Sequence, residues 1–316
     1  MKTIALRIWK CVKQALPKAG KTCLWLLKII LPISLLVRLL QYSGLLDKFS
    51  ALLEPVFSLI GLPGETAIVF ITSVFCPLYA PIALITSMAI GVREATILAL
   101  MCLVSHNLIV ESSVQAKTGS HFWEMTILRL VMSFVIAMCL NWIMPQGDWG
   151  TVGVTASADS YTGIWDVFVL WFVSSMKLVV TIGLIVTSLM ILHYVLEEFN
   201  LMRGLSKALA PLMTVFGLPK DTAFLWLVGN LVGLAYGGAI MVEQVEEKKL
   251  SYKNGNLLNY HLAISHSLLE DTIIFVAIGI PALWIIVTRL FFAAAVVWLR
   301  RGYNHIYVLQ KKKYVA

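Results

Sequence analysis

Two short stretches carry the side chains best able to do chemistry in an otherwise apolar chain: "SHNLIVES" at 105–112 and "SHSLLEDT" at 265–272. Each offers a histidine, which changes charge near neutral pH and can bind metal through a ring nitrogen. Acids follow, so the candidates are His106, Asn107 and Glu111 in the first stretch and His266, Glu270 and Asp271 in the second. Ionisable groups within apolar spans are costly and ordinarily face a bundle interior or a water cavity, which suits them to carry protons or cations. The structural alternative is that they sit near a span end or satisfy one another and the adjacent serines. On an unbroken helix His106 and Glu111 lie roughly 140° apart around the axis, whereas His266 and Glu270 share a face. The second stretch, richer in acids, is expected to be the better ion site.

Two interrupted segments form the other candidate site. "TSVFCPLYAPIAL" (72–84) holds Pro77 and Pro81, and "VGNLVGLAYGGAI" (228–240) holds Gly229, Gly233, Gly237 and Gly238. Proline removes a helix hydrogen bond and glycine weakens the helix, so both stretches are expected to break into half-helices. Half-helix ends expose backbone groups suited to an ion or polar solute. Cys76, Tyr79, Asn230 and Tyr236 are therefore binding candidates; a proline kink and a glycine packing face are the bland alternative. Arg129 and Arg289 each follow the histidine of their stretch by 23 residues. Buried, they would need carboxylates, and Glu111 and Asp271 are the natural partners; snorkelling to the interface is the alternative. Glu65 and Asp221 read as helix N-terminal caps, and His193 and His261 as interfacial.

The elements that must position these groups follow from composition. The 316 residues are 59% apolar and 13% charged, with a mean hydropathy of +0.85. Soluble domains carry about 25% charged residues, so the chain is expected to be an all-α polytopic membrane protein. Windows of about 20 apolar residues, long enough to cross a bilayer, fall at 23–46, 95–116, 122–144, 167–192, 257–278 and 282–298, with interrupted ones at 65–90 and 221–242. The net charge of +8 gathers at the two ends, the pattern of cytoplasmic termini and not of a nucleic-acid surface. Residues 1–22 place Ile4, Ile8, Val12 and Leu16 opposite lysines, as a basic amphipathic helix on the inner interface would. They lack the core of a cleaved signal peptide. Residues 301–316 read as a basic cytoplasmic tail. Cys11, Cys23, Cys76, Cys102 and Cys139 show no CxxC spacing, so no disulfide framework or zinc ribbon is expected.

The chain repeats. "EPVFSLIGLPGETA" (54–67) aligns without a gap to "APLMTVFGLPKDTA" (210–223), an offset of 211 − 55 = 156 at the shared proline. His106 aligns with His266 and Glu111 with Asp271, at an offset of 266 − 106 = 160. The repeats span 23–144 and 166–300, joined by a linker at 145–165. Its core, "PQGDWGTVGVTASADSYTG" (145–163), has two aspartates and no Lys or Arg, so it is expected outside, with both chain ends inside. Each repeat then crosses an odd number of times: the expected fold is two inverted-topology repeats, each with about three transmembrane helices plus a broken or re-entrant hairpin. Residues 47–62 read as an amphipathic connector.

The run "SHSLLEDTIIFVAIGIPALWIIVTR" (265–289) resembles the Ser/Glu/Thr-rich stretch and downstream basic residue of spore maturation protein B. "SHNLIVESSVQAKTGSHFWEMTILR" (105–129) resembles the corresponding part of spore maturation protein A. Both belong to the nucleoside-recognition, or Gate, superfamily, which also includes the membrane part of the ferrous iron permease. The resemblance covers roughly 24–144 and 168–300 and implies two Gate-like repeats fused in one chain, with nucleosides as the solute class the family name suggests. The chain has no GxxxxGK[ST] loop, so GTP-driven iron uptake is not expected.

The sequence thus points to a transporter or permease-like protein of the cytoplasmic (inner) membrane, moving a small polar solute or ion through a central site and coupled to H⁺ or Na⁺. A second reading is a divalent-metal permease using His106, His266, Cys76, Glu111 and Asp271 as transient ligands for Fe²⁺ or Zn²⁺. A third is a membrane scaffold or assembly factor. No nucleophile and base have the spacing of an enzyme, and no cofactor is called for. Expected partners are membrane lipids and the solute or ion, with no nucleic acid; a homo-oligomer is compatible with the sequence.

Overall fold

The computed structural model describes residues 2–153, 163–231 and 233–315. Residues 154–162 of the expected extracytoplasmic linker lie outside the described residues. The first repeat comprises α1 (Lys2–Tyr42), α2 (Leu45–Ser58), α3 (Ala67–Phe75), α4 (Tyr79–Ser87), α5 (Val92–Ser105), α6 (Leu108–Ala116) and α7 (Phe122–Ile143). The second comprises α8 (Ile164–Glu198), α9 (Leu201–Val215), α10 (Ala223–Leu231), α11 (Gly233–Glu246), α12 (Tyr252–Ser265), α13 (Leu268–Ala277) and α14 (Ala282–Val315). One short antiparallel ladder joins Ile90–Gly91 to Thr151–Val152. The chain is all-α. Among the described residues, α7, α8 and residues 282–306 of α14 are long and apolar enough to cross a membrane, and α5 with α6 adds a fourth span if taken as one broken helix.

Each described helix of the first repeat has a counterpart in order in the second, and the local geometry recurs with it. Gly61 and Gly217 follow α2 and α9 in the left-handed region, at φ +74° and +73°, where glycine alone carries no side-chain clash. A 3-10 turn follows in each copy, Gly64–Thr66 and Lys220–Thr222, with Thr66 and Thr222 hydroxyls donating to Pro63 and Pro219 carbonyls at 2.7 Å. Glu65 and Asp221 lie in those turns, where a carboxylate at a helix start is favoured by the helix dipole.

The proline-rich segment breaks as its sequence predicts, between Phe75 and Tyr79. A second pair of breaks is not marked by glycine or proline. α5 stops at Ser105 and α6 starts at Leu108, with Asn107 at φ +46°; α12 stops at Ser265 and α13 starts at Leu268, with Ser267 at φ +52°. The helical-wheel angles drawn through these stretches therefore do not apply. The compensation is visible in both copies. The Asn107 N–H donates to the Ser73 carbonyl and the Ser267 N–H to the Gly229 carbonyl, both at 2.9 Å. Each broken end is satisfied by the other broken segment of its repeat, which is what irregular backbone at membrane depth requires.

α1 is a single helix through residue 22, so the amphipathic segment and the first apolar span are continuous. It packs on α8, its counterpart in the second repeat. Arg7 pairs with Glu198 at 2.9 Å, the Cys11 thiol faces the Tyr194 carbonyl at 3.6 Å, and Trp171 Nε1 donates to Ser34 Oγ at 3.0 Å. As one number rises the other falls, so the two first helices run antiparallel.

The chain divides into two compact units. One holds Met1–Asn107, Ser133–Phe199 and Asp271–Ile285; the other holds Leu108–Met132, Asn200–Glu270 and Ile286–Ala316. Each takes the helix after the break from the other repeat: α6 clusters with α9 to α12, and most of α13 with α2 to α5.

Candidate functional site

In the second unit, the first turn of α6 and the C-terminal end of α12 bring together one group from each repeat. Glu111, one turn into α6, places Oε2 3.1 Å from Nε2 of His266, which caps the C-terminus of α12. Arg129 of α7 places Nη2 2.7 Å from the same oxygen. All three are buried, His266 and Arg129 completely. The expected Glu111–Arg129 pair is present, and full burial excludes snorkelling for Arg129. Arg289 is equally buried; it donates through Nε to the Ile264 carbonyl at 2.8 Å and through Nη2 to the His266 carbonyl. It thereby closes the carbonyl end of α12, where a cation is favoured by the helix dipole.

The tautomer of His266 follows from its other nitrogen. Nδ1 lies 2.8 Å from the Leu262 carbonyl, and a carbonyl only accepts, so Nδ1 carries a proton. In a neutral ring Nε2 then bears a lone pair and faces a carboxylate oxygen, two acceptors in contact. One further proton resolves this, held on the ring or on the carboxyl. Glu111 and His266 are thus placed to share one proton, with the Arg129 guanidinium beside the same carboxylate oxygen.

The remaining candidates divide between the units. His106 occupies in the first unit the position His266 occupies in the second: it is buried at the C-terminus of α5, with Nδ1 3.2 and 3.1 Å from the Cys102 and Leu103 carbonyls. Asn107 contributes its backbone to the break, and its N–H also reaches the Cys76 carbonyl at 3.1 Å. Tyr79 is buried at the start of α4. Asn230, on α10 in the second unit, is buried and donates to the Trp226 carbonyl at 2.9 Å. The Tyr236 side chain lies outside the described residues. Glu270 is half-buried, and the break at Ser267 removes the helical face it was expected to share with His266. Asp271 is buried and belongs to the first unit. The acid that meets His266 comes from the other repeat.

His261 is not interfacial. It is fully buried, accepts from Trp226 Nε1 at 3.1 Å and lies 2.8 Å from Ser265 Oγ. Sequence reading also passed over Gln115, Thr118 and Asn259, all fully buried and mutually hydrogen-bonded. Their one signal is the recurrence of asparagine at 254, 256 and 259 in an apolar window.

An all-α membrane protein built from repeated, broken helices around buried charge is the class that fold and site define. The family described as nucleoside recognition, Gate, matches residues 23–116. The chain is 34% identical over 266 residues to the uncharacterized membrane protein YvoD of Bacillus subtilis (strain 168), covering 83% of this chain and 85% of that protein. It belongs to the Gate family of membrane proteins. No solved structure matches it.

Proposed function

We propose that the protein is a secondary transporter, not an enzyme, that moves a small polar solute of the nucleoside class across the cytoplasmic membrane with a proton carried by Glu111 and His266. The observation that carries this is the contact between two groups that need one shared proton, beside a buried arginine, inside a membrane protein. Such intramembrane groups are the usual parts of proton relays. The family description supports the solute class. Inverted repeats are supported by the antiparallel packing of α1 on α8, the equivalent first helices, and by the acidic linker. With the basic ends inside, the linker faces outside.

The test is uptake into proteoliposomes, with a panel of labelled nucleosides and an imposed pH gradient. Saturable, gradient-dependent uptake that falls at least tenfold in Glu111→Gln is expected. Uptake of none of the panel, or uptake indifferent to Glu111→Gln, would overturn the reading. A divalent cation held by Glu111 and His266 is the second reading, because a histidine bonded through Nδ1 to a backbone carbonyl is the usual arrangement in metal sites. Arg129 on the same oxygen weighs against it. Stabilisation by Zn²⁺ or Fe²⁺ that disappears in His266→Ala would promote it.

A further inference from the structure

The segment that continues α6 lies hard against the first turns of α12. A side-chain carbon at Gly255 would come 2.2 Å from the Thr118 carbonyl oxygen, and one at Gly119 2.4 Å from the Tyr252 carbonyl oxygen. Next to this contact Asn259 is fully buried. Its Nδ2, with two hydrogens to give, lies 3.0 Å from the Gln115 carbonyl, 2.9 Å from Thr118 Oγ1 and 3.1 Å from Ser120 Oγ. Its Oδ1 lies 3.2 Å from Thr118 Oγ1, and Gln115 Nε2 donates back to the Asn259 carbonyl at 3.0 Å. The Gln115 carbonyl, near the end of α6, also accepts from the Thr118 and Ser120 N–H groups of the following turn; Asn259 joins that turn from the neighbouring helix.

Asn259 precedes His266 by seven residues, and Thr118 follows Glu111 by seven. The Asn259 clasp and the His266–Glu111 contact therefore lie about 10 Å apart along α12, the first holding the end of α6 and the turn after it, the second its first turn. We propose that Asn259 is a positioning residue: its clasp on Gln115 and Thr118 fixes how far α6 slides along α12, and so places Glu111 Oε2 against His266 Nε2. Apolar packing between the same helices is non-directional and does not set that register; a side chain bonded at several points does. The inference rests on reading Glu111 and His266 as the working pair.

A double-mutant cycle tests it. Glu111→Gln and His266→Gln are made singly and together, in wild-type and Asn259→Ala backgrounds, and unfolding is followed in detergent–SDS mixtures. The coupling between 111 and 266, expressed as a factor in the unfolding equilibrium, is expected to fall at least tenfold in Asn259→Ala. Thr118→Val is expected to lose part of it and Thr118→Ser to keep it. An Asn259→Ala protein that is less stable with coupling unchanged would make the clasp mere glue and overturn the proposal. If Asn259→Ala does not fold, unchanged coupling in both Thr118→Val and Gln115→Leu overturns it equally. The cycle needs no transported solute, so a failure of uptake sinks the proposed function alone.

Discussion

Glu111 Oε2 of the first repeat lies 3.1 Å from His266 Nε2 of the second. The two residues are not equivalent: Asp271 is the counterpart of Glu111, and His106 that of His266. The contact therefore joins non-equivalent positions of the two repeats, an acid after one break and a histidine at the other.

Arg129 is expected to matter for stability only while Glu111 is charged. Arg129→Met strands a buried carboxylate and should cost about 3–5 kcal/mol, the usual effect of breaking a buried pair, whereas Arg129→Met with Glu111→Leu should recover most of it. Unfolding in detergent–SDS mixtures measures both. A double variant no more stable than Arg129→Met would show that the arginine acts through other contacts.

The backbone at the two unpredicted breaks gives a cleaner test. Asn107 and Ser267 hold φ of +46° and +52°. Valine at either position should cost about 1–2 kcal/mol, because its branched side chain meets the backbone in the left-handed region, while Asn107→Gly and Ser267→Gly should be tolerated. Thermal unfolding midpoints decide; valine variants as stable as wild type would mean the helices run on through these residues.

Trp226→Phe isolates a third contact. It keeps the ring that packs beside Phe216, 5.6 Å between centroids, but removes the N–H that His261 Nδ1 accepts. Ser265 Oγ, 2.8 Å from the same nitrogen, remains to satisfy it, so the cost should be that of one lost hydrogen bond, about 0.5–1.5 kcal/mol. The midpoint of unfolding is again the measurement, and an unchanged midpoint would count against the bond.

How much of this was legible in the sequence depends on which physics wrote it. Apolar windows, the duplicated GLP segment and the Pro77 break are local signals, so the class, the repeat and one pair of interruptions could be read directly. The breaks at Asn107 and Ser267 could not. They are held by hydrogen bonds to Ser73 and Gly229, which lie far off in the chain; asparagine tolerates the left-handed region, but one such residue does not mark a break, and Ser267 gives no such signal. Glu111 and Arg129 are legible as a pair, but helical-face arithmetic sets His266 beside Glu270 and not beside Glu111. The acid that faces His266 arrives from the other repeat, and single-helix periodicity carries no information about that.

Gly255→Ala probes the close approach of α12 to the segment after α6. The added carbon would meet the Thr118 carbonyl oxygen, a backbone atom with no easy retreat. A loss of about 1–3 kcal/mol is expected, in line with overpacking elsewhere. Gly302→Ala, where nothing lies within 4 Å, is the control. Equal midpoints for the two variants would contradict the contact.

The most direct test of the account is proton movement itself. Proteoliposomes loaded with a pH-sensitive dye are challenged from outside with a nucleoside that the wild-type protein takes up, with no imposed pH gradient. The account expects the lumen to acidify as the solute enters, and expects Glu111→Gln and His266→Gln to abolish the acidification while still reconstituting as folded protein. Uptake without any lumenal pH change, or acidification that survives in both variants, would contradict it.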